Sequence, residues 1–194
     1  MNRESLREAT RSQMPARRWE HTLGVMSSAV ALAKRYGADP ERAELAALLH
    51  DYCKYWPIDE QRRVYAEEGL DPELLDYDPQ LLHGPIAAEV VRKRHGIADE
   101  EVLDAIRYHT SGRENMTLLD KMVCLADYIE PGRDFPGVHI IREIADHSLE
   151  RALIAGLDST IRFLLDKGKK VYPLTVAARN ALLEEAGRAG FGTK

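Results

Sequence analysis

Apolar residues recur along this chain three or four positions apart, which is the spacing of amphipathic helices. The clearest stripes are Leu23–Met26–Val30–Ala33, Leu45–Leu48–Leu49, Val102–Leu103–Ile106, Leu119–Met122–Val123–Ala126 and Leu153–Leu157–Ile161–Leu164. A final helix is predicted after Pro173, and the two-residue alternation of half-buried strands is not convincing. The pattern therefore predicts an all-α protein of about eight to ten helices.

Aspartate–proline pairs mark the positions where several of these helices begin. Asp39-Pro40, Asp71-Pro72 and Asp78-Pro79 each combine an N-cap carboxylate with a first-turn proline. Gly37 and Gly96 stand where two helices are expected to end. Because no linker, repeat or low-complexity segment divides the chain, we expect one domain over residues 1–194.

Composition narrows the class of protein. The net charge of -5 argues against a general binder of nucleic acid or membrane surfaces, so an anionic ligand would need local positive charge. Cys53 and Cys124 have no metal or disulfide motif around them and are expected to be buried, reduced thiols. No apolar run approaches the roughly 20 residues of a membrane span, and the polar N-terminus does not resemble a signal peptide. We expect a cytoplasmic protein.

Polar residues interrupt the apolar stripes, or end them, on five of the predicted helices. They are His21, His50 with the adjacent Asp51, His83, His109 and Asp127. A lone histidine in such a place is more often a satisfied core or capping residue, but five helices each bringing one suggest a common partner. A shared cation would satisfy these groups together, and imidazole with carboxylate ligands suits iron, manganese or zinc. His50 and Asp51 could address one metal from neighbouring angles, with Asp51 bridging to a second ion or to water.

The ordered pattern H…HD…H…H…D in an all-α chain resembles the HD-domain metallophosphohydrolases. The local sequences "LLHDYCKYWP", "LLHGPIAAEVV", "AIRYHTSG", "LLDKMVCLADYIEPGRDFPGV" and "VYPLTVAARN" are similar to the bacterial YqeK-type family of symmetrical diadenosine tetraphosphatases. The resemblance runs from about residue 17 to about residue 183, and "LADYIEPGR" is its most specific part. It implies an HD-domain helical bundle with additional C-terminal helices, with a metal core at about 17–133 and helices at 138–187.

The same resemblance implies the chemistry. Such an enzyme would hydrolyse diadenosine tetraphosphate to two ADP, using one or two divalent ions, iron first and manganese or zinc as alternatives. The implied metal ligands are His21, His50, Asp51 and Asp127. His83 and His109 would contact phosphate or complete a second metal position, and with Asp51 they form the implied catalytic set.

Contacts with the substrate are expected from residues around this set. Arg133 offers a planar fork for a phosphate, whereas Lys54 and Lys121 offer point charges. Thr110 and Ser111 could donate to phosphate or simply end a helix. The resemblance adds Arg179 and Asn180 as a nucleotide-contacting pair, with His83, His109 and Asp127 also facing the substrate.

Two other functions stay open at this level. A nucleotidase or a guanosine polyphosphate hydrolase would share the same metal set. A non-catalytic regulatory module would be expected to lack some ligands, and none is missing here. The expected partner is a small dinucleoside polyphosphate rather than nucleic acid or a membrane, and either a monomer or a homodimer is compatible with the sequence.

Overall fold

The computed structural model describes residues 2–191, and the regular secondary structure of this part is entirely helical. It contains ten α-helices: α1 (Arg3–Arg11), α2 (Ala16–Tyr36), α3 (Pro40–Leu49), α4 (Ile58–Glu67), α5 (His83–His95), α6 (Glu100–Arg107), α7 (Leu118–Ile129), α8 (Val138–Ala145), α9 (Leu149–Asp166) and α10 (Pro173–Phe191). The predicted all-α class is confirmed.

Helix ends follow the predicted punctuation. The Asp39 side chain accepts hydrogen bonds from the backbone N–H groups of the first turn of α3. Gly37 ends α2 in the left-handed region, at a φ of 78°. Asp71 and Asp78 also cap, but each begins only a short 3-10 helix, Pro72–Asp76 and Pro79–Leu81. The first of these cannot continue because the second Asp-Pro pair follows directly and its proline lacks an N–H donor.

Helix α7 lies at the centre of the bundle. It packs against α2, α3, α6, α8 and α9, and its residues from Leu119 to Ala126 are all buried. A helix that is covered on so many sides needs apolar residues on nearly every face, which explains the mostly apolar run "LLDKMVCLA". Asp127 follows this buried run directly and is only partly exposed, so α7 leads from the core to the candidate site.

Small residues set the distance between α2 and α3. Ala43, Ala46 and Ala47 are fully buried on α3, and Val25 and Ala29 are fully buried on α2. Methyl-sized side chains allow two helix backbones to pack closely, and α2 and α3 share the most extensive contact in the described residues. This packing brings the end of α3 beside the first half of α2, where His21 lies.

Both cysteines are buried and unpaired, as predicted. Burial raises the pKa of the Cys53 and Cys124 thiols, so both are structural rather than reactive groups. In the part of the chain that the structure describes, no helix has both the length and the apolar character needed to traverse a bilayer.

Candidate metal centre

The six polar residues predicted to share a cation meet at one point in the bundle. His21 comes from α2, His50 and Asp51 follow α3, His83 begins α5, His109 follows α6, and Asp127 lies in the last turn of α7. His50, Asp51, His83 and His109 are buried, whereas His21 and Asp127 keep part of their surface exposed. Five separate segments of the chain therefore place titratable groups at one site at the edge of the core.

Asp51 occupies the middle of this group. Its Oδ2 lies 2.9 Å from His50 Nε2 and 3.7 Å from His21 Nε2. Its Oδ1 lies 3.1 Å from His83 Nε2 and 4.0 Å from His109 Nε2. The two carboxylate oxygens thus face different pairs of histidines, which explains why an imidazole and a carboxylate are adjacent in the sequence.

Backbone carbonyls fix the tautomer of three of the histidines. Nδ1 of His50 lies 2.6 Å from the Ala47 carbonyl, and Nδ1 of His83 and His109 make equivalent contacts of 2.6 and 2.7 Å, each three residues back. A carbonyl can only accept, so each Nδ1 carries the proton and donates it. The Nε2 lone pairs are left pointing into the site, as a metal-binding histidine requires.

Several of these acceptor atoms lie close to one another. His83 Nε2 lies 3.0 Å from His109 Nε2, and His21 Nε2 lies 3.0 Å from Asp127 Oδ1. The buried atoms His21 Nε2, His50 Nε2 and Asp51 Oδ1 have no hydrogen-bond partner among the described residues. Converging lone pairs in a buried place repel unless a proton or cation lies among them, so the donor set fits a metal.

Two groups of candidate ligand atoms overlap at His50. His21, His50 and Asp127 offer atoms within 4.8 Å of one another, and so do His50, Asp51 and His109. Mixed imidazole and carboxylate donors are the ligands of a divalent transition metal rather than of calcium or magnesium. Two overlapping groups are compatible with one ion or with two.

Burial and neighbouring charges shift the pKa values of four groups in the site. Burial alone would raise the pKa of Asp51 and of Asp127, but neighbouring groups outweigh it and hold both pKa values well below their usual range. Among these groups, the positive charge of Lys54 acts on Asp51 and that of Arg133 acts on Asp127. Burial lowers the pKa of His83 and of His109, so both stay neutral near pH 7.

Two functional neighbours of the site were not predicted from the sequence. The guanidinium of Arg18 contacts the Asp51 carboxylate, and the buried carboxylate of Glu130 lies 3.0 Å from His21 Nδ1. The signal for Arg18 was its position three residues before His21, which puts the two on one face of α2. Nothing in the sequence separated Glu130 from an ordinary acid at the end of a helix.

Glu130 sits in a space that two glycines leave open. A Cβ added at Gly24 would lie 2.5 Å from Glu130 Oε2, and the backbone N–H of Gly132 donates to the same oxygen at 2.6 Å. The carboxylate therefore accepts from Gly132 with one oxygen and from His21 Nδ1–H with the other. This arrangement leaves His21 Nε2 free to face the centre, as in carboxylate–histidine–metal sites.

Arg133 lies beside the candidate ligand Asp127. Its Nε donates to the Asp127 carbonyl at 2.7 Å, and its guanidinium also contacts the Asp127 carboxylate. The loop that carries it is fastened by Arg142, which donates to the carbonyls of Ile129, Glu130 and Arg133 at 2.8 to 3.0 Å. A fixed loop keeps the guanidinium over the site.

Two of the three other predicted phosphate contacts, Lys54 and Thr110, lie next to candidate ligands. Lys54 Nζ lies 3.7 Å from Asp51 Oδ1, and Thr110 Oγ1 lies 3.0 Å from His109 Nε2. Ser111 donates instead to the neighbouring Gly112 carbonyl at 2.9 Å, which is a local helix-end contact. Lys54 and Thr110 therefore stay candidates for substrate binding.

Lys121, Arg179 and Asn180 have contacts other than the predicted ones in the structure. Lys121, named as a point charge for phosphate, instead contacts Glu150 at 3.1 Å and also Glu185. Arg179 donates to Asp158 at 2.8 Å and to the exposed Asn180 at 3.3 Å. Lys121 and Arg179 are thus each paired with neighbouring carboxylates. The nucleotide contact expected of Arg179 and Asn180 stays a prediction.

Two of the cavities that Arg133 lines also include a candidate ligand. The polar cavity, of about 610 Å³, is lined by Arg17, Arg18, Glu20, His21, Gly24, Tyr55, Glu130, Pro131, Gly132 and Arg133. The aromatic cavity, of about 810 Å³, begins at His109, Thr110, Asp127 and Arg133 and continues along α8 and α9. Because both cavities include Arg133 and a candidate ligand, a long anionic substrate could lie across the site.

Known proteins resemble this chain over nearly its whole length. The HD domain family matches residues 18–132. A relative from Bacillus subtilis is 46% identical over 94% of this chain and 98% of its own length, and one from Halalkalibacterium halodurans is 48% identical over 95% and 99%. Both relatives are named "bis(5'-nucleosyl)-tetraphosphatase, symmetrical". A solved structure from Clostridium acetobutylicum, described as a predicted HD superfamily hydrolase involved in NAD metabolism, superposes with a TM-score of 0.91 at 40% identity, covering 95% of this chain and 98% of that one.

Proposed function

The chain belongs to the HD domain family, and we propose that it hydrolyses diadenosine tetraphosphate symmetrically to two molecules of ADP. The observation that carries this proposal is the complete set of six histidine and aspartate groups, in a chain that covers 98% of a relative named for that reaction. A hydrolase acting on phosphoanhydride bonds follows from the same findings.

We further propose His21, His50, Asp51 and Asp127 as the ligands of a divalent transition ion, with iron first and manganese or zinc as alternatives. A bound divalent cation neutralises phosphate oxygens and lowers the pKa of water, which is what cleavage of a polyphosphate requires. We propose that His83 and His109 contact phosphate or complete a second metal position. We propose one or two ions, because both candidate ligand groups include His50 and the overlap is compatible with either number.

Side chains of the protein supply positive charge for the phosphates and proton acceptors for the attacking water. Arg133 and Arg18 place guanidinium groups beside the ligands, and Lys54 adds an ammonium on another side of Asp51. These cations offset the negative charge that a tetraphosphate brings to a protein of net charge -5. His83 and His109 are neutral near pH 7, so their Nε2 atoms can accept a proton during attack by water.

We also propose a single-domain cytoplasmic enzyme with a small-molecule substrate. The negative charge and the two unpaired, buried thiols favour a cytoplasmic enzyme that acts on a small molecule rather than on nucleic acid. The packing of α9 on α7 supports one domain for the metal core and the C-terminal helices. An HD-type nucleotidase or guanosine polyphosphate hydrolase would share the ligand set, and the names of the near-full-length relatives favour the dinucleotide.

Product analysis tests the proposal. Purified protein of known metal content should convert diadenosine tetraphosphate to ADP, and in water enriched with heavy oxygen the label should enter only one ADP of each pair. Attack on an inner phosphorus with ADP as the leaving group gives this pattern. ATP and AMP as the primary products would contradict symmetrical cleavage.

A further inference from the structure

Arg142 lies on α8 and donates three hydrogen bonds to the short loop that follows α7. Its Nε donates to the Ile129 carbonyl at 3.0 Å, and its Nη2 donates to the carbonyls of Glu130 and Arg133 at 2.8 and 2.9 Å. The backbone N–H of Arg133 donates to the same Glu130 carbonyl at 3.0 Å, which closes a turn that we call the 130–133 turn. Arg142 therefore joins both ends of this turn to a different helix.

The surroundings of the 130–133 turn explain why it needs such an anchor. Pro131 has no N–H to donate, the Gly132 N–H donates to the Glu130 carboxylate within the turn, and Pro131 and Gly132 are exposed. Ile129 is the last residue of α7, and carbonyls at that end of a helix have no donor within it. A guanidinium satisfies such carbonyls and offsets the negative end of the helix dipole. Arg142 thus caps the end of α7 and holds the turn that follows.

Each end of the 130–133 turn carries a side chain that faces the candidate metal centre. The Glu130 carboxylate lies 3.0 Å from His21 Nδ1 and orients that candidate ligand. The guanidinium of Arg133 contacts the Asp127 carboxylate, and it is the proposed phosphate contact. The two backbone positions from which these side chains extend are the ones that Arg142 holds.

We propose that Arg142 is a positioning residue that sets metal affinity and phosphate recognition together. Through Glu130 it keeps His21 directed at the centre, and through Arg133 it keeps a guanidinium within reach of the phosphates. The second half of this inference rests on the proposed function, whereas the first half concerns metal binding and needs no substrate. Because α8 itself packs on α7 and α9, Arg142 is supported by a packed helix rather than by the loop that it holds.

Manganese binding and steady-state kinetics measure the two effects separately. Arg142→Met keeps much of the side-chain length and loses every donor, and Arg142→Lys keeps the charge without the planar fork. The control is Arg151→Met, because Arg151 is an exposed arginine on the neighbouring helix α9. Chelator competition gives the manganese affinity of each purified protein, and circular dichroism of the metal-free form checks the fold. The value of kcat/KM for diadenosine tetraphosphate is taken at saturating manganese.

Arg142→Met should bind manganese roughly 3- to 30-fold more weakly, a smaller loss than removal of the orienting carboxylate itself would give. At saturating manganese its kcat/KM should fall by roughly 10- to 100-fold, which is the effect that a displacement of about 1 Å can produce. Arg142→Lys should lose less in both measurements, because an ammonium still donates to part of the turn. Arg151→Met should match the unmodified chain.

Double-mutant cycles distinguish positioning from a general loss of stability. Arg142→Met should weaken manganese binding by less than about twofold when Glu130→Gln is already present, because the carboxylate to be positioned is gone. For the same reason it should lower kcat/KM by less than about twofold when Arg133→Ala is already present. Full additivity in either cycle, or unmodified values in Arg142→Met, would overturn the inference. If Arg142→Met does not fold, Arg142→Lys takes its place in both cycles.

Failure of this inference and failure of the proposed function give different results. If the unmodified, manganese-loaded chain cleaves diadenosine tetraphosphate and Arg142→Met matches it in both measurements, the inference fails and the proposed function stands. If the unmodified, loaded chain does not cleave this substrate, the proposed function fails. The manganese affinities and their cycle with Glu130→Gln then still show whether Arg142 positions a partner of the metal centre.

Discussion

Replacing the buried acid Glu130 should weaken metal binding without removing a metal ligand. Glu130 accepts from His21 Nδ1–H at 3.0 Å and from the Gly132 N–H at 2.6 Å, one carboxylate oxygen for each donor. In Glu130→Gln only one oxygen remains, and the amide NH₂ must face the other N–H group. His21 or the Gly132 loop therefore loses its partner, and His21 is no longer held with Nε2 toward the centre.

The expected loss of metal affinity can be taken from other metal sites in which a carboxylate orients a histidine ligand. Loss of a carboxylate that orients a metal-binding histidine costs about 10- to 100-fold in metal affinity, or about 1.4 to 2.8 kcal/mol. Gly24→Ala should give a similar loss by another route, since its Cβ would lie 2.5 Å from Glu130 Oε2 and displace the carboxylate. That variant keeps every charge of the site.

Chelator competition with manganese on each purified protein measures the affinity, and circular dichroism on the metal-free form confirms the fold. Glu20→Gln is the matched control, because Glu20 is an exposed acid next to His21 that lines the same polar cavity. It should bind manganese as the unmodified chain does. Parental affinity in both Glu130→Gln and Gly24→Ala would refute the positioning role of Glu130.

Three further predictions address the ligands, the phosphate contact and the buried histidines. His50→Ala and Asp51→Ala should each lose metal and activity together, and full metal content with near-normal turnover in either would contradict the ligand assignment. Arg133→Ala should keep its metal but lose roughly 30- to 1,000-fold in kcat/KM, with Arg133→Lys recovering part, whereas unchanged kcat/KM would make Arg133 a surface residue. Because burial lowers the pKa of His83 and of His109 below the unfolded value of about 6.5, the unfolded chain binds more protons, and the metal-free protein should lose stability as the pH falls through 6.5. Denaturant unfolding at pH 7 and pH 5.5 should show a loss of up to about 1.4 kcal/mol per pH unit for each histidine, reduced in His109→Asn, and equal stability at both pH values would contradict it.

The helices and the candidate ligands could be predicted because both leave a periodic trace in the sequence. His21 continues the line of Val25, Ala29 and Leu32, and these three are buried in the structure. A histidine in such a line must face the core side of its helix, so it needs a partner there. Five such interruptions predict a common site without any knowledge of how the helices pack.

The partners of the charged side chains could not be predicted in this way. Lys121 meets Glu150 and Glu185, which follow it by 29 and 64 residues. Arg142 reaches three carbonyls of a loop that only its own helix packing brings close. Long flexible side chains take whichever acceptor the tertiary structure offers, and helical periodicity carries no information about that choice.

Geometry within the site depends on glycines next to the candidate ligands. A Cβ added at Gly84 would lie 2.9 and 3.1 Å from two backbone carbonyl oxygens at the end of α6 and 3.3 Å from the His109 ring. The missing side chain lets α5 approach that helix end closely, which places His83 Nε2 within 3.0 Å of His109 Nε2. The missing side chain of Gly24 likewise leaves room for the Glu130 carboxylate, which orients His21. The histidines and aspartates therefore supply the donor atoms of the candidate site, while a glycine beside them decides how near those atoms come to one another.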